Sequence, residues 1–421
     1  MPIASQQNAP HPNSSPGLPG HRRPLRVLVM ISSLEGGGSE RQALLVLRRL
    51  NRTIFAPELY LLRRSGSLLG QVPADVPIHC FEESIEADAA GWLSWPGKVH
   101  GAQVAHLTRL LRERSIDVIY DRTFHMSLIA APAAVGCGVP RVATIVSPPS
   151  RALPLNGGRF LAIKRRRLRA AYSEASAVIT VSHPTAGDAA RYYGLPRSRF
   201  IVIPNPVDAE AIDTVVGRFP RPHRDSRYTI ACVGRMSAEK GQEELLTAFD
   251  RLLSLYPEFP LPKFWMIGNG PLRESLRQAV ERSKWQDHFE FLGHLEHPEP
   301  WIAAADALCV PSHFEGFPNV MLEAMALGVP VIARSLDVTR SLGRLPTDPA
   351  IRGRDYLATY VDSPSQRGVT LARSIRRLKL NPTATRSRVA AALRLARETL
   401  SPTTIMPRIE QTLIEAIKGR R

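Results

Sequence analysis

Cysteine is scarce in this chain. Only Cys80, Cys137, Cys232 and Cys309 occur among 421 residues, and no two are close in sequence. That excludes a zinc knuckle and a C-x-x-C redox pair. Each sits among apolar neighbours and reads as a buried free thiol, which fits a reducing cytoplasm. No stretch reaches about 18 consecutive apolar residues, so no spanning helix is expected. Aromatics are only 6%, and no aromatic-rich RNA-binding pattern or zinc finger accompanies them, so nucleic acid is not an expected partner. Acidic residues are few beside basic ones, 38 against 55, leaving a formal charge of +17. Lysine itself is rare, 7 of those 55, so the charge is mostly arginine. Much of it reads as compositional preference for arginine. An anionic membrane surface or a phosphate-bearing ligand accounts for such charge where it clusters.

The apolar fraction, 44%, is that of an ordinary globular chain and excludes wholesale disorder. Residues 1–24 carry six prolines and no apolar core segment, so they read as a disordered tail rather than a signal peptide. From 25 onward the pattern alternates. Strands are expected at 25–31, 58–62, 118–120, 141–146, 177–181 and 200–203. Helices are expected at 40–50, 101–114, 126–135, 159–174 and 185–192. The polar, proline-bearing stretch 218–226 reads as an interdomain linker. The pattern then restarts with strands at 228–234, 264–267, 289–292 and 307–310 and a helix at 242–253. Two strand-first α/β units of similar size imply two Rossmann-like, doubly wound lobes facing each other across a cleft.

The most informative stretch is Pro311-Ser-His-Phe-Glu-Gly-Phe-Pro-Asn-Val-Met-Leu-Glu-Ala-Met-Ala-Leu-Gly-Val-Pro330. Pro318 suits a first helical turn, Gly328 a left-handed end, and Pro330 stops continuation, which predicts a helix over 318–327. The helix is apolar on every face and therefore buried, yet Glu323 stands in its middle. Such a carboxylate is either paired with an arginine or accepts the two hydroxyls of a ribose. Glu315 precedes the helix start, where the free backbone N–H groups from Gly316 to Asn319 suit a phosphate or polar sugar. A solvated loop carboxylate is the alternative for Glu315. A second constellation is Gly234-Arg-Met-Ser-Ala-Glu-Lys-Gly241: Arg235 as a fork and Lys240 as a point charge suit a diphosphate, with a solvated loop as the alternative. A third is the glycine turn Gly268-Asn-Gly-Pro271, with Gly268 and Gly270 after a strand.

The order G-R-x(4)-K-G, G-N-G-P, then S-x(2)-E-G-F-P-N-V-x(2)-E-A-M-A-x-G-x-P-V resembles the retaining glycosyltransferases of family 4, the glycosyl transferases group 1 with a GT-B fold. The front half agrees through Gly36-Gly-Gly38 with Glu40, Ala177-Val-Ile-Thr-Val-Ser182 and Ile203-Pro-Asn-Pro-Val-Asp208. The resemblance covers about 25–335 and the final helix. It implies an N-terminal acceptor-side lobe over 25–205, a C-terminal nucleotide-sugar lobe over 206–400, and a last helix over 401–421 returning to the N-lobe. It also implies roles. Arg235, Lys240 and Glu315 would be catalytic, the first two on the donor diphosphate and the third on sugar hydroxyls. Glu323 would hold the ribose, and Leu295 would lie by the base. Gly36, Gly37, Gly38, Gly234, Gly268, Gly270 and 316–320 would surround the donor. No cofactor and no metal are implied. The expected activity is transfer from a nucleotide-sugar, a UDP-sugar, to a lipid-linked or cell-surface glycan. The alternatives are a nucleotide-sugar epimerase or phosphorylase of the same fold, or a non-catalytic nucleotide-sugar or nucleic-acid binding protein.

The chain departs from the family in two places. Where many members carry a histidine after the fourth N-lobe strand, Ser147 stands here, and His125 or His313 is the candidate sugar contact instead. The segment 335–365 does not follow the family pattern. Finally, 159–169 holds six cations and no acid, with Phe160, Leu161, Ile163 and Leu168 on one expected apolar face. It reads as an amphipathic contact with an anionic membrane surface, or as a solvated helix face. The expected location is cytoplasmic, with peripheral contact at the inner face of the membrane.

Overall fold

The computed structural model describes residues 23–84, 96–156, 158, 160–342, 356–361 and 363–419. The expected tail, up to residue 22, and the atypical stretch 343–355 lie outside them.

The N-terminal part forms one parallel sheet from β1 (Leu25–Ile31), β2 (Phe55–Leu61), β3 (Ile78–Cys80), β4 (Val118–Arg122), β5 (Arg141–Ile145), β6 (Ala177–Thr180) and β7 (Phe200–Val202), in the order β3-β2-β1-β4-β5-β6-β7. Its helices are α1 (Gly38–Arg49), α2 (Pro96–Glu113), α3 (Phe124–Cys137), α4 (Pro149–Asn156), α5 (Leu161–Glu174) and α6 (His183–Tyr193). Helices cover both faces, so the strands are buried on both sides and read as apolar runs. In β1 every residue but Arg26 is buried.

The second part begins with α7 (Ala209–Arg218). It builds a parallel sheet from β8 (Thr229–Val233), β9 (Lys263–Ile267), β10 (Phe289–Gly293), β11 (Ala307–Val310), β12 (Val331–Arg334) and β13 (Ala358–Tyr360), in the order β10-β9-β8-β11-β12-β13. Its helices are α8 (Glu243–Leu255), α9 (Arg273–Glu281), α10 (Glu299–Ala304), α11 (Asn319–Ala326), α12 (Asp337–Ser341), α13 (Val369–Leu380) and α14 (Pro382–Arg394). The last helix, α15 (Pro402–Lys418), packs on β4, β5 and α1 of the first sheet. A single apolar cluster runs through the junction, with Val207, Phe317, Leu400 and Ile405 among its members.

Three readings change. The stretch 218–226 is not the linker. The chain crosses at 203–208, and Asp208 then caps α7 by accepting the Ala211 N–H at 3.2 Å. The helix α7 lies against α10 and α11, which places the polar stretch wholly on the second lobe. Pro318 sits just outside the helix rather than in its first turn, because its backbone is extended (φ −72°, ψ 116°). The apolar residues of α5 do not share one face. Leu168 is buried with Ala171 and Tyr172, whereas Phe160 and Ile163 are 67% and 53% exposed. Elements that escape sequence reading include short strands (β3, β12, β13), the proline-bearing α4 and the helices α7, α9, α13 and α14.

Candidate functional site

The C-terminal ends of β8, β9 and β10 converge on one set of turns. Gly234 follows β8 and Gly268 follows β9. Gly234 donates to Ile267 O at 2.9 Å and Gly268 donates to Gly293 O at 2.7 Å, so each turn is seated on the next. A β-carbon on Gly268 would lie 2.1 Å from Gly234 O, and one on Gly270 would lie 2.3 Å from Met236 O. Gly268 also has φ +134°. Only glycine permits this nesting, which brings bare backbone to the sheet edge. Ligands of open parallel sheets bind at that edge.

On the neighbouring strand β8 the turn carries Arg235 and Lys240. Lys240 Nζ lies 2.6 Å from Glu315 Oε1, and Ser312 Oγ donates to the same oxygen at 2.8 Å. Two loops 75 residues apart therefore meet through one residue singled out on each. Burial would push the Lys240 ammonium toward neutrality. The Glu315 carboxylate overrides this and raises its pKa. The loops are joined further by the His313 N–H, which donates to Glu239 O at 2.8 Å. Arg235 is exposed, and its guanidinium makes no hydrogen bond or ion pair among the described residues. His313, whose side chain is 45% exposed, lies with Nδ1 3.7 Å from Glu244 Oε1 on α8.

The start of α11 faces the same space. The N–H groups of Gly316 and Phe317 make no hydrogen bond among the described residues. Those of Asn319 and Val320 are free by helix geometry. The Phe317 side chain is buried in the core and Val320 packs against it, so these residues offer backbone. Glu323, one turn on, is half-buried and has neither a hydrogen bond nor an ion pair among the described residues. Desolvation pushes its pKa up to about 7; Arg41 lowers it and Glu299 raises it. The paired-arginine alternative is thus not what the structure shows. Leu295, beside β10, is half-buried.

The N-lobe closes over these loops. A β-carbon on Gly316 would fall 1.9 Å from Val146 O and 3.0 Å from Ser147 Cα, so Ser147, where the family histidine is expected, abuts Gly316 directly. One on Gly36 would meet His294 at 3.4 Å. Asn319 Nδ2 donates to Gly38 O at 2.8 Å, so its side chain serves the lobe junction. The glycine loop itself is partly satisfied: Gly37 N–H donates to Glu40 Oε2 at 2.5 Å. Arg41 crosses to the second lobe, donating to Glu296 O at 2.8 Å and approaching Glu299 at 3.4 Å. His125 is not drawn into this group. It is exposed in the first turn of α3, and its pKa is lowered by its surroundings and by the charges of Lys164 and His100. Sequence reading missed Arg41, Asn205, His294 and Glu299. Asn205 stands in the Ile203–Asp208 motif, but each of the four acts across the lobe junction, where no local pattern shows its role.

Two family models match, one to each lobe: "Glycosyltransferase Family 4" over residues 36–211 and "Glycosyl transferases group 1" over residues 227–344. The chain belongs to the family 4 glycosyltransferases. Family relatives include a glycogen synthase of Mycobacterium tuberculosis, 28% identical over 59% of this chain and 56% of that one. A 2-deoxystreptamine N-acetyl-D-glucosaminyltransferase of Streptomyces fradiae is 31% identical over 48% of each. The chain spans about half the length of the curated relatives it matches. The fold is GT-B. HepE of Anabaena, solved with UDP-glucose, superposes with a TM-score of 0.70 at 20% identity, covering 93% of this chain and 99% of that one. Sucrose-phosphate synthase of Thermosynechococcus elongatus gives 0.72 at 16% identity, covering 94% and 100%.

Proposed function

We propose that this chain is a retaining hexosyltransferase that moves a sugar from a nucleotide-sugar, a UDP-sugar, to a lipid-linked or cell-surface glycan. The observation that carries the reading is the Lys240–Glu315 pair at 2.6 Å, lying at the mouth of the α11 amides. The departing nucleoside diphosphate gains negative charge as the glycosidic bond breaks. Arg235, Lys240 and the N–H groups of 316–320 stabilise that charge in a preorganised site. Donor phosphate takes over Lys240 from Glu315, and Glu315 is then free to accept a sugar hydroxyl. Glu323 accepts the ribose hydroxyls in its ionised form. Lobe closure, through the Gly36–Gly38 loop, excludes water. UDP is favoured over other bases because the HepE structures hold UDP and UDP-glucose. A GDP-mannose-dependent relative in Corynebacterium glutamicum makes GDP the comparison arm of the test.

The acceptor side is read from α5. Phe160 and Ile163 stand exposed beside the exposed cations Arg165, Arg166, Arg167 and Arg169, and Leu155 on α4 is 56% exposed. Apolar side chains set among arginines suit an anionic bilayer surface, which supports a cytoplasmic protein acting at the inner face of the membrane. The test of function is release of nucleoside diphosphate from a panel of UDP- and GDP-sugars, with Lys240→Ala and Glu315→Ala alongside. Turnover that neither substitution changes refutes the reading.

A further inference from the structure

Arg122, the last residue of β4, is only 3% exposed, yet no carboxylate pairs with it among the described residues. The adjacent acid, Asp121, is taken by Arg141 at 2.7 Å on the other face of the sheet. The Arg122 guanidinium instead meets two neutral oxygens: Tyr120 Oη at 3.0 Å and Asn205 Oδ1 at 3.3 Å. Its Nε has no partner, and neither has Thr144 Oγ1, its register neighbour on β5. A buried cation without a counter-ion is costly, so fold stability alone gives no account of it.

What the guanidinium holds does. Asn205 lies on the 203–208 crossing between the lobes and is itself 7% exposed. With its oxygen fixed by Arg122, its Nδ2 donates to Phe317 O at 3.1 Å and to Asn319 Oδ1 at 2.9 Å. Asn319 Oδ1 also accepts from Gln42 Nε2 at 3.3 Å, and Asn319 Nδ2 reaches Gly38 O. One carboxamide thus orients the residues whose free amides open α11 and, through Asn319, the glycine loop of the opposite lobe.

We propose that Arg122 and Asn205 are positioning residues: Arg122 fixes the Asn205 carboxamide, and Asn205 fixes the α11 start against the N-lobe, so that lobe closure and alignment of the donor amides are one event. The kinetic part of this proposal rests on the transferase reading; the conformational part does not. Both residues are buried beneath the site rather than lining it.

The experiment compares wild type with Arg122→Met, Asn205→Ala and, as control, Thr144→Val. Each is assayed for thermal midpoint, UDP affinity by calorimetry, UDP-glucose turnover, and radius of gyration by small-angle scattering with and without UDP. Arg122→Met should hold or raise the thermal midpoint, since it removes an unpaired buried charge. It should leave UDP affinity within about threefold and lower kcat at least about tenfold, the scale of misplaced catalytic groups. Asn205→Ala should lower kcat to the same degree. Both should enlarge the radius of gyration with UDP bound, while Thr144→Val changes neither kcat nor radius. Wild-type kcat and radius in both variants overturn the proposal. So does a kcat loss that merely follows a fall in thermal midpoint. If wild type turns over no donor, the transferase reading fails, and the scattering comparison still decides the positioning role.

Discussion

The two parallel sheets end at the cleft in opposite ways. The second sheet ends in backbone: glycines at 234, 268 and 270 nest against one another, and the charges that rise above them, Lys240 and Glu315, are paired. The first sheet ends in side chains: Asp121, Arg122, Thr123 and Thr144, with Thr123 held at φ +78°, a conformation a β-branched residue adopts only under strain. Bare backbone lets a ligand approach and presents N–H groups of fixed direction. Among these packed side chains Arg122, through Asn205, holds the start of α11 on the other lobe. The same architecture therefore supplies an edge suited to binding on one side and a bracing edge on the other.

The largest effect should fall on the paired charges. Lys240→Ala and Glu315→Ala should each lower turnover by about 10²–10³-fold, as loss of a transition-state charge contact does; steady-state kinetics with the preferred donor check this. If the losses instead appeared for exposed N-lobe cations, the assignment of the binding edge would be reversed. Next is the seam between the edges. Gly316→Ala drives a methyl into Val146 O and should cost on the order of 10–100-fold in kcat by displacing the lobes, with little change in thermal midpoint.

Stability should then distinguish the edges by opposite signs. Gly268→Ala should destabilise by roughly 1–3 kcal/mol, because it meets both the left-handed backbone and Gly234 O. Thr123→Gly should be neutral or stabilising by up to about 1 kcal/mol, because it relieves strain. Chemical denaturation of both variants tests the pair. Glu323 provides a smaller, pH-dependent effect. Its pKa is raised from 4.5 to about 7, so its contribution to stability is complete below about pH 4.5 and is lost as pH rises to about 7. Glu323→Gln should remove a slope of at most about 1.4 kcal/mol per pH unit in that window, seen as a flatter melting profile. UDP affinity in wild type should rise over the same range as the carboxylate ionises. The smallest effect on turnover, with the clearest effect elsewhere, belongs to α5. Phe160→Ser with Ile163→Ser should weaken flotation with phosphatidylglycerol vesicles and leave hydrolysis of a soluble donor unchanged. Undiminished flotation would remove the membrane reading.

What was legible follows from the same contrast. The strand β1 reads from its aliphatic run. The end of α11 reads from Gly328, which takes φ +70°, and Pro330. Lys240 and Glu315 read from motifs because backbone-edged loops need fixed residue types at fixed spacing. At the bracing edge only Asn205 stands in a recognisable stretch, Ile203–Asp208, and its role does not show there. Arg122, Asn205 and Arg41 gain their roles only when two lobes meet, and no local periodicity encodes that meeting. The α5 face was misread for a related reason: its spacing permits one apolar stripe, but only Leu168 and its neighbours find a partner to pack on.

The chain passes between the lobes twice, at 203–208 and again where α15 begins, and Val207 N–H donates to Leu400 O at 2.8 Å where the passages run side by side. A single crossing would be a swivel, free to twist as well as bend. Two crossings tied together make a door hinge, which admits one swing and resists rotation about the connection. Any lobe opening about such a hinge would return the glycine loop to the same register over α11.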